Sequence, residues 1–100
     1  FMRFINLVHQ YSKKERKLSF YADKLCFSQH YLGTLIREAS DTTAKEWIER
    51  SVIAEAKVRL KNSDMLTYQI SDELNFPNVS FFCKFFKRLT GMTPLEYQRS

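Results

Sequence analysis

Apolar residues recur along this chain every three or four positions, which is the spacing of one face of an α-helix. The first such face consists of Phe4, Leu7, Val8 and Tyr11. It predicts a helix over residues 2–12. The same spacing predicts six further helices, over about 19–25, 28–39, 44–62, 67–74, 78–89 and 94–99. No stretch makes a convincing strand, so the predicted fold class is all-α.

Small polar residues stand where these helices should begin. Ser, Thr and Asn side chains can accept hydrogen bonds from the amides of a first helical turn. Candidates for that role are Ser19, Ser28 and Thr67. Thr43 with Glu46, and Thr93 with Glu96, also follow the pattern of a capping box. Pro94 then occupies the first helical position, where its missing amide hydrogen costs nothing.

The chain also matches itself. An offset of 49 pairs Asp23 with Asp72, Leu25 with Leu74 and Phe27 with Phe76. An offset of 50 then pairs Leu32 with Phe82, Ile36 with Phe86, Thr43 with Thr93 and Trp47 with Tyr97. A helix-turn-helix followed by a capped helix therefore occurs twice, with one extra residue in the second turn. The predicted organisation is a first helix-turn-helix subdomain (1–43), a long linker helix (44–62) and a second subdomain (63–100).

Charge and composition limit the functions that this chain can have. The 100 residues carry a net charge of +5, and a basic chain of this kind favours a polyanion or an acidic protein as partner. The cysteines and histidines are Cys26, Cys83, His9 and His30, and their scatter gives no metal-site spacing. No phosphate-binding loop or nucleophile motif is present. We therefore predict no metal, no cofactor and no enzymatic activity.

The second repeat carries a family pattern. Its segments are Ile70-Ser71, Asn75-Phe76, Ser80-Phe81-Phe82, Phe86-Lys87, Gly91-Met92-Thr93-Pro94 and Tyr97. In these segments and their spacing, the chain resembles the DNA-binding domain of the AraC/XylS family of bacterial transcription regulators. The resemblance covers essentially all 100 residues. It implies double-stranded DNA as the partner and two recognition helices that enter successive major-groove segments roughly 34 Å apart.

Four positions depart from the family pattern. The turn glycine is Asn75 in the second repeat and Cys26 in the first, and both positions should need a positive φ. Asn tolerates that conformation, whereas Cys26 predicts a first turn that is strained by about 1 kcal/mol or is shaped differently. Ser71 replaces a small Ala, and Gln98 replaces an Arg that commonly follows the last aromatic residue.

Transferring the family's positions gives candidate contacts. The base-contacting candidates are Gln29, His30, Gly33 and Thr34 in the first repeat, and Asn78, Val79, Ser80 and Lys84 in the second. The phosphate-contacting candidates are Ser19, Lys24, Arg37, Thr67, Lys87 and Arg88. The central reading positions hold Thr34 and Lys84 rather than Arg, and Gly33 has no side chain. We therefore predict weaker base reading by the first repeat.

The resemblance implies further partners outside this sequence. Members of the family usually carry a separate effector-sensing or dimerisation domain, and activators often contact RNA polymerase. A chain that starts at Phe1 is expected to be part of a longer protein, and a cytoplasmic, nucleoid-associated location is expected. The alternative that the residues leave open is an all-helical protein-interaction domain whose basic face docks an acidic partner.

Overall fold

The computed structural model describes residues 1–62 and 64–100. In these residues the chain forms seven α-helices and no β-strand, which confirms the all-α prediction. The helices are α1 (Met2–Tyr11), α2 (Leu18–Leu25), α3 (Gln29–Ser40), α4 (Ala44–Asn62), α5 (Thr67–Glu73), α6 (Val79–Thr90) and α7 (Pro94–Arg99). Every predicted helix is present, and no end differs by more than one residue.

The chain divides into two compact units, Phe1–Ser51 and Val52–Ser100, and the division lies within α4. The core of the first unit contains Phe4, Val8, Tyr21, Ala22, Leu25, Leu32, Ile36, Ala44 and Ile48. The core of the second unit contains Ile53, Ala56, Leu60, Ile70, Leu74, Phe82 and Phe86. Each core thus receives side chains from one part of α4 and from its own helix-turn-helix.

The turns of the two helix-turn-helix motifs have the same backbone. Cys26 and Asn75 both lie in the left-handed region, with φ of 60° and 62°. The amide of Phe27 donates to the Ala22 carbonyl, and the amide of Phe76 donates to the Ser71 carbonyl. These bonds, with those from Cys26 and Asn75 to the carbonyl three residues earlier, make two Schellman motifs. The first turn is therefore not shaped differently, and its non-glycine residue carries the strain.

The helix caps follow the repeat as well. Ser28 accepts from the Tyr31 amide, and Asn78, fifty residues later, accepts from the Phe81 amide. Thr93 and Glu96 form both bonds of the predicted capping box, because each side chain binds the other residue's amide. For α4, the Thr43 hydroxyl accepts from the Glu46 amide at 3.2 Å. These polar side chains cap the first turns of α3, α4, α6 and α7.

Two predicted caps are wrong. The residue before α2 is Lys17, and Ser19 already lies inside the helix because Leu18 packs against the first core and begins the helix there. The residue before α5 is the extended Leu66, so Thr67 is the first helical residue and not the cap. Gln69 takes over part of the capping by accepting the Leu66 amide at 2.8 Å. Both predictions were wrong by one or two residues.

Candidate nucleic-acid interface

The first candidate reading surface is the outer side of α3. Leu32 and Ile36 point into the core, which leaves Gln29, His30 and Thr34 exposed. His30 and Thr34 are four residues apart and therefore lie one above the other on one helical face. The structure thus places His30 and Thr34 on one face that is open to solvent, and Gln29 is exposed in the first turn of the same helix.

Gly33 lies apart from the other candidates of α3. It is half-buried, and a Cβ atom built on it would lie 3.8 Å from a methyl carbon of Leu18 at the start of α2. The residue therefore forms part of the packing between α2 and α3. This placement agrees with the view that Gly33 permits a close approach to another helix.

The second candidate reading surface is the outer side of α6, where Val79, Ser80 and Lys84 are all exposed. Lys84 matches Thr34 in the repeat, and a Lys ammonium can donate to the acceptor atoms of guanine. Asn78 also caps this helix, because its side-chain oxygen accepts the Phe81 amide at 2.8 Å. That bond uses one of the two lone pairs of an oxygen that a bidentate Asn–adenine contact would also engage.

Three basic candidates for phosphate contact lie at the ends of α3 and α6. Arg37, Lys87 and Arg88 are exposed on the last turns of α3 and α6. Hydrogen bonds with Thr93 are the main reason that the pKa of the Glu96 carboxyl is lowered, and the charge of Lys87 adds a smaller contribution. Arg88 also lies over the ring of Phe85, with 5.6 Å between the guanidinium carbon and the ring centre.

The remaining phosphate candidates lie on α2 and α5. Ser19 and Thr67 are half-buried in the first turns of these helices, near the backbone amides that could bind an anion. Lys24 lies at the other end of α2. Its ammonium is 5.6 Å from the ring centre of Tyr11 and 5.7 Å from that of Phe20, so it packs on the first unit's own aromatic residues.

Two exposed aromatic residues at the interface were missed by the sequence analysis. Tyr31 and Phe81 are 50% and 56% exposed in the first turns of α3 and α6. They match each other at the offset of 50. The internal repeat could have identified them in the sequence, because it places a large aromatic residue at the same position of both units. Neither side chain is buried in a core.

Side chains outside the recognition helices hold α2 and α5 in place. Buried Tyr21 of α2 donates its hydroxyl hydrogen to the Glu15 carbonyl oxygen, with 2.6 Å between the oxygens. In the second unit, Arg59 of α4 forms ion pairs with Glu55 and with Glu73 of α5. These contacts fix the first helix of each helix-turn-helix and, through the turn, its recognition helix.

Other chemistry is not assembled in the described residues. Cys26 is exposed and Cys83 is half-buried, and both are free thiols. Within 1–62 and 64–100, no group of three metal-ligating side chains comes together. In the same residues, no helix has the length and apolar character that crossing a membrane would require.

The comparisons with known proteins agree with this geometry. A family model described as a helix-turn-helix domain matches residues 21–100. The uncharacterized HTH-type transcriptional regulator YtdP of Bacillus subtilis is 26% identical over 95 residues, which is 95% of this chain and 12% of YtdP. The HTH-type transcriptional activator RhaR of Escherichia coli is 29% identical over 86 residues, covering 82% of this chain and 30% of RhaR. The chain therefore spans less than a third of either relative.

Solved structures show the same fold. The C-terminal domain of the two-component response regulator yesN from Fusobacterium nucleatum superposes with a TM-score of 0.90 at 21% identity, covering 97% of this chain and 95% of that one. The DNA-binding domain of AdpA, crystallised with a target DNA, gives a TM-score of 0.86 at 14% identity, with 98% and 88% covered. Since the family model matches most of the chain, the chain belongs to the AraC-type helix-turn-helix family of transcription regulator domains.

Proposed function

We propose that this chain is the sequence-specific DNA-binding domain of a bacterial transcription regulator and that α3 and α6 are its recognition helices. One observation carries the proposal. The same exposed helical face, with the same turn and the same cap before it, occurs twice at an offset of 50 residues. Each helix enters one major-groove segment, and the two segments are about one turn of DNA apart.

The two helices contribute unequally to base recognition. Lys84 offers a charged donor to guanine, and Val79 offers methyl groups to thymine. In the first unit, Gln29 and His30 are the side chains able to read base edges, and Thr34 is short. The second unit is therefore the stronger reader, and the first depends more on backbone contacts and DNA shape.

Phosphate contacts supply much of the affinity. They come from Arg37, Lys87 and Arg88 and from first-turn amides near Ser19 and Thr67. Neutralising about three phosphates with these cations predicts that the logarithm of the binding constant falls with the logarithm of salt concentration at a slope of about −3. Lys24 is assigned a packing role, because its ammonium lies over two aromatic rings.

The whole regulator contains more than this domain. The coverage of 12% of YtdP and 30% of RhaR supports the proposal that a sensing or dimerisation domain lies elsewhere in the full protein. RNA polymerase is a further partner if the regulator activates transcription, as RhaR is named to do. The location is the cytoplasm, where the DNA is, and the domain has no catalytic activity. A surface that docks an acidic protein is the less favoured alternative, because the family match points to DNA.

Selection of bound sequences from a random DNA pool tests this proposal. The selected site should contain two conserved segments about one helical turn apart, with the more strongly conserved segment facing α6. Lys84→Ala should weaken binding to that site by about 1–3 kcal/mol and relax the preference at one base pair. Thr34→Ala should have a smaller effect, and Lys14→Ala, which removes an exposed charge from the turn after α1, should have none. Binding that is independent of sequence and salt would contradict the proposal.

A further inference from the structure

The first unit contains a cavity of about 430 Å³ beside its recognition helix. Its walls come from the segment before α2, from α3 and from the start of α4. The residues that line it include Arg16, Leu18, Gly33, Arg37, Lys45 and Ile48. Because Gly33 has no side chain, the wall formed by α3 is open at this point. The cavity therefore adjoins the same helix that carries His30 and Thr34.

The cavity has a positive electrostatic character. Arg16, Arg37 and Lys45 line it, and none of its lining residues is acidic. Arg16 is half-buried, and burial lowers the pKa of its guanidinium, yet an arginine keeps its charge at any physiological pH. Leu18 and Ile48 add apolar surface below these charges. Such a site suits an anion attached to a partly apolar group, as a phosphate is attached to a deoxyribose.

The beginning of α4 adds hydrogen-bond donors. Thr43 lines the cavity, and its hydroxyl and carbonyl oxygens already accept the amides of Glu46 and Trp47. The amides of Ala44 and Lys45 also belong to the first turn of α4, whose amides have no acceptor within the helix. These donors support the charged side chains and would not by themselves make a site.

The second unit does not repeat this chemistry. The positions that match Arg16 and Lys45 are Met65 and Leu95. The position that matches Ala44 is Pro94, which has no amide hydrogen to donate. Only one of the three cations has a basic counterpart, since Lys87 matches Arg37. At the positions of Arg16, Ala44 and Lys45, the first repeat therefore has anion-binding groups that the second repeat lacks.

We propose that the cavity formed by Arg16, Arg37 and Lys45 binds one phosphate of the DNA backbone and anchors the first unit, which reads bases weakly, to the DNA. The inference rests on the proposed DNA-binding function and extends it. Arg16 and Lys45 become contact residues, and the two units divide the work between backbone anchoring and base reading.

The second repeat supplies the substitutions for the test. Arg16→Met and Lys45→Leu install the residues that the second unit has at matching positions, and Lys45 is exposed, so its variant should fold. The double variant should bind the selected DNA about tenfold more weakly, with a loss as large on unrelated DNA and a salt slope reduced by about 1. The control is Arg3→Met, which removes one positive charge from an exposed position of α1 and should leave the slope unchanged.

A neutral linkage in the DNA identifies the phosphate. The selected duplex is prepared with single methylphosphonate linkages at successive positions, and each is titrated with the wild-type chain and with both Lys45→Leu and the double variant. At one linkage position, the methylphosphonate should weaken DNA binding by the wild type. At the same position, it should cause no further loss of affinity for the double variant, which already lacks the contact. Fully additive losses at every position would overturn the phosphate site while leaving DNA binding intact. If the wild type itself does not bind the selected duplex, the proposed function and the site both fail.

Discussion

Cys26 and Asn75 hold the same left-handed backbone conformation at matching places in the two helix-turn-helix turns, with φ of 60° and 62°. Asn adopts this conformation with little penalty, and the Asn75 side chain also approaches the Glu73 carbonyl at 3.4 Å. Cys has no comparable polar group. The first turn therefore carries backbone strain that the second turn largely avoids.

Replacing Cys26 with glycine should relieve this strain. We expect Cys26→Gly to raise the free energy of unfolding of the first unit by about 1 kcal/mol, because glycine adopts a positive φ without a Cβ clash. Urea unfolding followed by circular dichroism measures the change. Cys26→Ala keeps the strained Cβ and should gain nothing, and Asn75→Gly should gain less than Cys26→Gly. Equal stability of the Gly and Ala variants would show that the turn is unstrained.

Lys24 separates a packing role from a DNA-contact role. Its ammonium lies over the rings of Tyr11 and Phe20, so Lys24→Met should lower the stability of the first unit by up to about 1 kcal/mol. DNA affinity should change less than twofold, and the salt slope should stay the same. Arg37→Met is the matched comparison, and it should reduce the slope with little effect on stability. A reduced salt slope for Lys24→Met would show that Lys24 contacts a phosphate.

The ion pairs of Arg59 should stabilise the second helix-turn-helix, which consists of α5, its turn and α6. The Arg59 side chain is 22% exposed and that of Glu73 is 49% exposed, so the pair is only partly screened by solvent. Arg59→Met should lower the stability of the second unit by about 1 kcal/mol. A double-mutant cycle with Glu73→Gln checks the pairing, and the two changes should be less than additive. Additive losses would mean that the pair with Glu73 does not contribute and that Arg59 acts through Glu55 or through the packing of its stem.

Much of the fold could be predicted from local patterns, since α3 and α6 were anticipated from their apolar faces and their preceding polar residues. Ser19 is not a cap because Leu18, which packs against the first core, already begins α2. Thr67 is not a cap because α5 begins at Thr67 itself, after the exposed Leu66, whose amide binds the Gln69 side chain. Asn78 was assigned to DNA alone, although its side-chain oxygen caps α6. Arg16 and Lys45 are far apart in sequence, and only the folded first unit brings both to one cavity.

The buried phenol of Tyr21 should make the first unit sensitive to alkaline pH. Burial is the main reason that its pKa rises to about 12, and the nearby Glu15 carboxylate adds to the effect while Arg16 opposes it. An unfolded chain holds this phenol at a pKa of about 10, so folding favours the neutral form. The resulting stability is complete below pH 10 and is lost as the pH rises towards 12.

Tyr21→Phe tests this sensitivity. The wild type should lose about 1.4 kcal/mol more than Tyr21→Phe when the pH is raised from 8 to 11, because only the wild type must keep a phenol protonated in its core. At pH 8 the variant should itself be about 1 kcal/mol less stable, since it lacks the hydrogen bond to the Glu15 carbonyl. Tyr68→Phe, which changes an exposed phenol of the second unit, should behave like the wild type. Urea unfolding of the three proteins at the two pH values gives all six free energies of unfolding. Equal losses in wild type and Tyr21→Phe would show that the phenol titrates as freely in the folded chain as in the unfolded one.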